Sequence, residues 1–222
     1  IYLRDLVALS DPEALGVEEV ERLVEAGMLR LKMMQTRTGG LSMWPGGSDP
    51  HPWGSLYAAD LLVEAKKAGY DVPEDLLQSL IGYINSRIDD WSDARHGEGN
   101  PTQFGEAAYA CYVLARAGRP AHSWMARLEE LLRQCDETGI ALPVAGRFHL
   151  AGAHLAAGQG EPARGFVAGV VPAATVRQTG GYLGSPVREM AVMLSVLLDL
   201  DPDSGQVRAL AHRLRQNLHL GR

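Results

Sequence analysis

Apolar residues recur along this chain at intervals of three and four, the spacing that gathers them on one face of an α-helix. Val17, Val20, Leu23, Val24, Met28 and Leu31 form one such stripe, with Glu18, Glu19, Arg22 and Glu25 elsewhere on the same helix. Comparable patterns run over 54–68, 74–89, 103–117, 122–135, 142–157, 161–171, 186–200 and 204–219. Apolar–polar alternation of period two is nowhere sustained, so no sheet is expected. The helices are punctuated in a repeating way. Gly69 precedes Pro73, Gly118 precedes Pro120, Gly158 precedes Pro162, and Leu200 and Pro202 mark a last turn. Glycine takes the left-handed position after a helix, and proline suits the first turn of the next, where its missing N–H is not needed.

The prolines recur about every 40–47 residues, the period of a helix pair. Five hairpins are counted if 1–10 and 17–36 make the first. Between hairpins the loops are long and glycine-rich, at 39–54, 95–101 and 179–184. Loops of this length favour a closed ring of antiparallel hairpins, the α/α toroid, over an open solenoid with tight turns at both ends. The expected fold is therefore all-α, with 1–222 forming a single α/α toroid domain, incomplete at both ends. The chain opens at Ile1, already inside a helical pattern, and reads as part of a longer protein whose export signal lies elsewhere.

A formal net charge of -6 opposes binding to nucleic acid or to an anionic membrane. No apolar run approaches the roughly 18 residues of a membrane span. Two cysteines, Cys111 and Cys135, cannot build a disulfide framework or a structural zinc site. On adjacent antiparallel helices they would be offset by roughly 10 Å along the axis, too far for a bridge. Both read as small buried hydrophobes.

Short catalytic patterns are weak. Asp89, Asp90 and Asp93 match a DDxxD magnesium motif in form, but they sit at a helix end without a companion motif. His149 and His154 are five apart and His212 and His219 seven apart, which is not the spacing of two ligands on one helical turn. Ser185 and Ser195 lack a nucleophile-elbow context, and the glycines of 39–47 lack the strand and GK[ST] of a phosphate loop. Glu64, Asp93, Glu98 and Glu106 could serve a glycosidase, but nothing in the sequence pairs them. More informative are Trp44, Trp53 and Tyr57, in and after the longest glycine-rich loop. They are expected to pack at one end of the ring and fix that loop, or to line a site at its mouth.

Longer motifs carry a resemblance. The stretch 33–73 resembles bacterial alpha-2-macroglobulins in three successive blocks. Gln35, Gly39, Gly40, Trp44, Pro45, Gly46 and Gly47 fill the first. Trp53, Tyr57, Ala58, Asp60, Glu64 and Ala65 fill the second, and Gly69, Tyr70, Val72 and Pro73 the third. The segments 107–120 and 184–200 are similar to later parts of the same family, in the same order.

The resemblance implies an α/α toroid that carries a thioester in a large protease-trapping protein. In that family a Cys-x-Glu-Gln segment forms the thioester. A protease cleaves a bait region, and the rearranged protein acylates the attacker. The resemblance further implies a periplasmic setting, often with a lipid anchor at the inner membrane. It implies as partners the attacking proteases, the other domains of the same chain and a penicillin-binding protein. The Cys-x-Glu-Gln segment is absent here: either it lies upstream of Ile1, or the parent belongs to the branch of the family without a thioester. Near Thr102–Phe104, where some relatives place a histidine that redirects acyl transfer to hydroxyls, this chain has Gln103 and no histidine, and that absence implies a preference for amines where the parent has a thioester. Gln35, Trp44, Trp53, Tyr57 and Gln103 are thus the candidate structural or site-lining residues. No catalytic residue, metal or cofactor is expected. The alternatives are a toroid enzyme of the glycoside hydrolase or terpene cyclase kind, which needs converging carboxylates or a metal, and a helical solenoid with an open groove.

Overall fold

The computed structural model describes residues 16–90, 101–170 and 186–220. These form helices α1 (Val17–Met33), α2 (Pro52–Lys67), α3 (Glu74–Asp90), α4 (Pro101–Arg116), α5 (His122–Thr138), α6 (Val144–Ala156), α7 (Gly160–Val167), α8 (Pro186–Leu200) and α9 (Gly205–Leu220). Among the described residues the only β-type pairing is one isolated antiparallel bridge, Gln35 with Leu41. The all-α expectation holds, and the expected helix spans match to within a few residues. Residues 1–10 of the supposed first hairpin, and most of the loops at 95–101 and 179–184, lie outside the described residues.

Short turns join α2 to α3, α4 to α5, α6 to α7 and α8 to α9. The first three close in the same way. After α2, Gly69 N–H donates to Lys66 O and Tyr70 N–H to Ala65 O. Gly118 with Arg119, and Gly158 with Gln159, repeat the pattern. Each glycine has φ near +80°, so the last carbonyls of each helix are satisfied through a left-handed residue that a Cβ would strain. Pro162 stands in the first turn of α7, as expected, whereas Pro73 and Pro120 lie just before the first helical residue. Pro52, Pro101 and Pro186 are the ones that open helices. Between α5 and α6 the link is only residues 139–143, shorter than a regular alternation of long and short loops requires.

The chain forms two compact units, 1–93 and 94–222. In the first, α2 packs on α3 through Leu56, Ala59, Leu62 and Ala65 facing Leu76, Leu80, Ile81 and Ile84, all buried. Lys32 at the end of α1 reaches Asp75 on α3 at 2.7 Å. In the second, α4 and α6 form the central pair, and α6 also carries α5, α7 and α8. Residues 107–115 of α4 are buried without a break, so this helix is covered on every side. Small residues allow the close approach. A Cβ on Gly146 would meet the Phe104 ring at 2.9 Å, and one on Gly152 would meet Tyr112 at 2.5 Å. Phe148 and Leu150, with no exposed surface, each contribute roughly 1.5–3 kcal/mol by burial. Cys111 and Cys135 are buried and unbridged, as expected.

Candidate functional site

The segment between α1 and α2 holds Gln35 and Trp44, the first turns of α2 hold Trp53 and Tyr57, and the order of the segment comes from the backbone outward. After Met33 the chain folds back so that Gln35 pairs with Leu41. Within that turn Thr36 N–H donates to Gly40 O at 2.8 Å, and Gly39 N–H to Thr36 O at 3.1 Å. The Thr36 hydroxyl donates to the same Gly40 carbonyl. Gly39 has φ +90° and presses on α3 so closely that an added Cβ would lie 2.5 Å from the Ser79 carbonyl oxygen. A Cβ on Gly40 would meet Pro50 at 2.8 Å and the Tyr83 ring at 3.0 Å. The two glycines thus let a loop backbone lie directly on a helix.

A second set of bonds ties the loop to the start of α2. His51 N–H donates to Leu41 O at 2.7 Å. Leu41 N–H donates to Ser55 Oγ, and that hydroxyl donates to His51 O. His51 Nδ1 accepts from Gly54 N–H at 3.0 Å, capping α2. A neutral His51 ring therefore carries its proton on Nε2. Ser42 Oγ lies 3.0 Å from Met34 O and 2.6 Å from Trp44 O, so it holds the loop's outer limb.

The aromatic residues behave differently from expectation. Trp44 does not pack at the end of a ring: it is 73% exposed, and Met43 beside it is 55% exposed. The physical reason is that serine, threonine and glycine contacts already order the loop, leaving the indole nothing to fill. Trp53 and Tyr57, one turn apart on α2, stack on each other with centroids 5.2 Å apart, and Tyr57 remains 55% exposed. The Gln35 side-chain nitrogen is buried and has no hydrogen-bond partner among the described residues. Gln103 lies exposed on α4, in the other unit. Ser42, His51 and Ser55 were not singled out from the sequence. His51 before Pro52 at a helix start was the available signal, but a buried serine on α2 has none.

The other chemical candidates are placed as follows. Among the described residues no three His, Cys, Asp or Glu side chains gather as a metal would require. His149 stacks on Tyr109 at 4.4 Å, and burial together with nearby Arg188 pushes its pKa down to about 3. His154 Nδ1 is 2.7 Å from Gln159 Oε1. Burial pushes the Cys111 thiol up to about 12, so it is not a ready thiolate. Asp93 and Glu98, and Ser185, lie outside the described residues. None of the described helices is long and apolar enough to cross a membrane.

Antiparallel helical hairpins carrying a hydrogen-bonded glycine loop define an all-α helical domain. The solved structures share this fold. Native Escherichia coli alpha-2-macroglobulin, from domain MG7 to the C-terminus, superposes with a TM-score of 0.73 at 24% identity, covering 93% of this chain and 33% of that one. Salmonella alpha-2-macroglobulin reacted with methylamine gives 0.73 at 24%, covering 90% and 13%. An α/α toroid is consistent with this likeness. In sequence, alpha-2-macroglobulin of Xylella fastidiosa is 30% identical over 192 residues, 82% of this chain. That of Escherichia coli K12 is 28% identical over 200 residues, 83% of this chain. No family model matches the chain. The family is that of the bacterial alpha-2-macroglobulins, and these residues correspond to one segment of it. The chain spans only 11% and 12% of the lengths of the two curated relatives.

Proposed function

We propose that this chain is the thioester-type helical domain of a periplasmic alpha-2-macroglobulin, a scaffold for covalent capture of proteases and not an enzyme itself. The observation that carries the reading is the 30% identity over 192 residues with the Xylella fastidiosa protein. The methylamine-reacted Salmonella relative supports the chemistry, because methylamine is a nucleophile that opens an activated acyl group. In this reading 1–222 is one toroid domain, the parent is held at the inner membrane by a lipid, and its partners are attacking proteases, its own other domains and a penicillin-binding protein.

The 222 residues cannot supply the acyl group. Three residues after Cys111 stands Leu114, and three after Cys135 stands Thr138, so neither cysteine has the glutamine that closes a thioester. Joining a buried thiol to a distant glutamine would forfeit the proximity on which such chemistry depends. In this reading the acyl group comes from a Cys-x-Glu-Gln segment outside these residues, and the lack of a histidine over 102–104 favours transfer to amines. The test is mass spectrometry after methylamine treatment of the full-length protein and of the 222-residue chain. The full-length protein is expected to gain one methylamine and release one thiol, while the short chain gains none. A mass increase on the short chain would overturn this reading, as would none on the full-length protein.

A further inference from the structure

Helices α5 and α7 each pack on α6 and leave a groove between them. It has two lobes, of about 740 Å³ and about 440 Å³, which share Ala126, Glu129 and Pro162. Its floor is apolar: Met125 and Leu132 are buried, and Phe166 is half-buried. Its border is acidic. Glu129, Glu130, Asp136, Glu137 and Glu161 line it. Arg133 bridges Glu130 and Glu137, Arg147 pairs with Asp136, and Arg164 with Glu161. Five carboxylates thus face three guanidinium groups. Glu129, where the lobes meet, forms no ion pair among the described residues. At one end His154 is 95% buried; with Nδ1 bonded to Gln159, its Nε2 has no partner among the described residues. A buried polar atom left without a partner costs free energy that an arriving N–H group would recover.

We propose that this groove docks a basic amphipathic polypeptide segment of another protein. An apolar side chain enters over Leu132 and Phe166, and a lysine or arginine sits against Glu129. Charge complementarity selects this occupant. A purely apolar segment would leave Glu129 desolvated, and an acidic one would be repelled, whereas a cation flanking an apolar anchor satisfies floor and border together. The inference does not depend on protease capture or on where the thioester lies.

The probe is a fluorescent helical peptide of about three turns made of leucine and lysine, titrated into the 222-residue chain by anisotropy. Binding is expected at low salt, weakening about tenfold as salt screens the border. Glu129→Lys with Glu161→Lys is expected to weaken it about tenfold more. Glu18→Lys with Glu25→Lys, the same charge change on exposed positions of α1, is expected to leave it unchanged. Ala126→Trp fills the groove without altering charge and is expected to abolish binding even if the double variant loses its helical signal. Equal weakening by the two charge pairs, or undiminished binding to Ala126→Trp, would overturn the proposal.

Discussion

The loop on α3 and the α4–α6 pair both depend on glycine at close contacts, yet they are held by different forces. Gly39 and Gly40 bring a polar backbone onto a helix, and serine, threonine and histidine bonds keep it there. Gly146 and Gly152 bring aromatic rings onto a helix, and apolar burial keeps them there. The loop can therefore expose Met43 and Trp44 without losing its order. The core can expose nothing. Order and burial are separable in this chain, since the loop is ordered while Met43 and Trp44 stay exposed.

Substitutions can test that division. The largest effect is expected at Phe148, which has no exposed surface. Phe148→Ala should cost about 3–5 kcal/mol in urea unfolding. Next is the pH response of the same core. Burial holds His149 neutral down to about 3, below its usual 6.5. Between those values the unfolded chain binds a proton that the folded chain excludes. Stability from this group is thus complete above about 6.5 and lost as pH falls toward 3, at about 1.4 kcal/mol per unit. Subtracting the profile of His149→Phe isolates the slope; identical profiles would show that the imidazole charges in place.

In the loop, Gly39→Ala should cost about 2 kcal/mol, from a left-handed φ and the clash with Ser79. Its mark should be faster hydrogen exchange at the amides of Thr36 and Leu41, with the α4–α6 amides unchanged. The smallest effect is at Trp44. Its exposure reduces the cost of Trp44→Ala to within about 0.5 kcal/mol, against the several expected of a buried indole. A large loss there would mean that the indole, not the hydrogen bonds, orders the loop.

The helices and their turns could be read from local pattern because they are set by local physics. A stripe of apolar residues, a glycine able to take φ near +80° and a proline at a helix start act over a few residues. That is why Gly69, Gly118 and Gly158 fell where expected. The cysteines could be judged for the same reason, from helix rise alone. What could not be read were contacts between distant segments. Trp44 in a glycine-rich loop resembles a plug until the Leu41–Ser55 and Gly39–Ser79 contacts show the loop already filled. Likewise the acidic face of α5 reads as an ordinary solvated surface, and only the packing of α5 and α7 on α6 makes it the border of a groove. By itself the sequence determined the hairpins, the absence of a thioester motif within these residues and the kinship they carry. Tertiary structure alone decided which aromatics are exposed and where a partner could sit, because burial depends on which surfaces meet, and surfaces far apart in sequence leave no periodic trace.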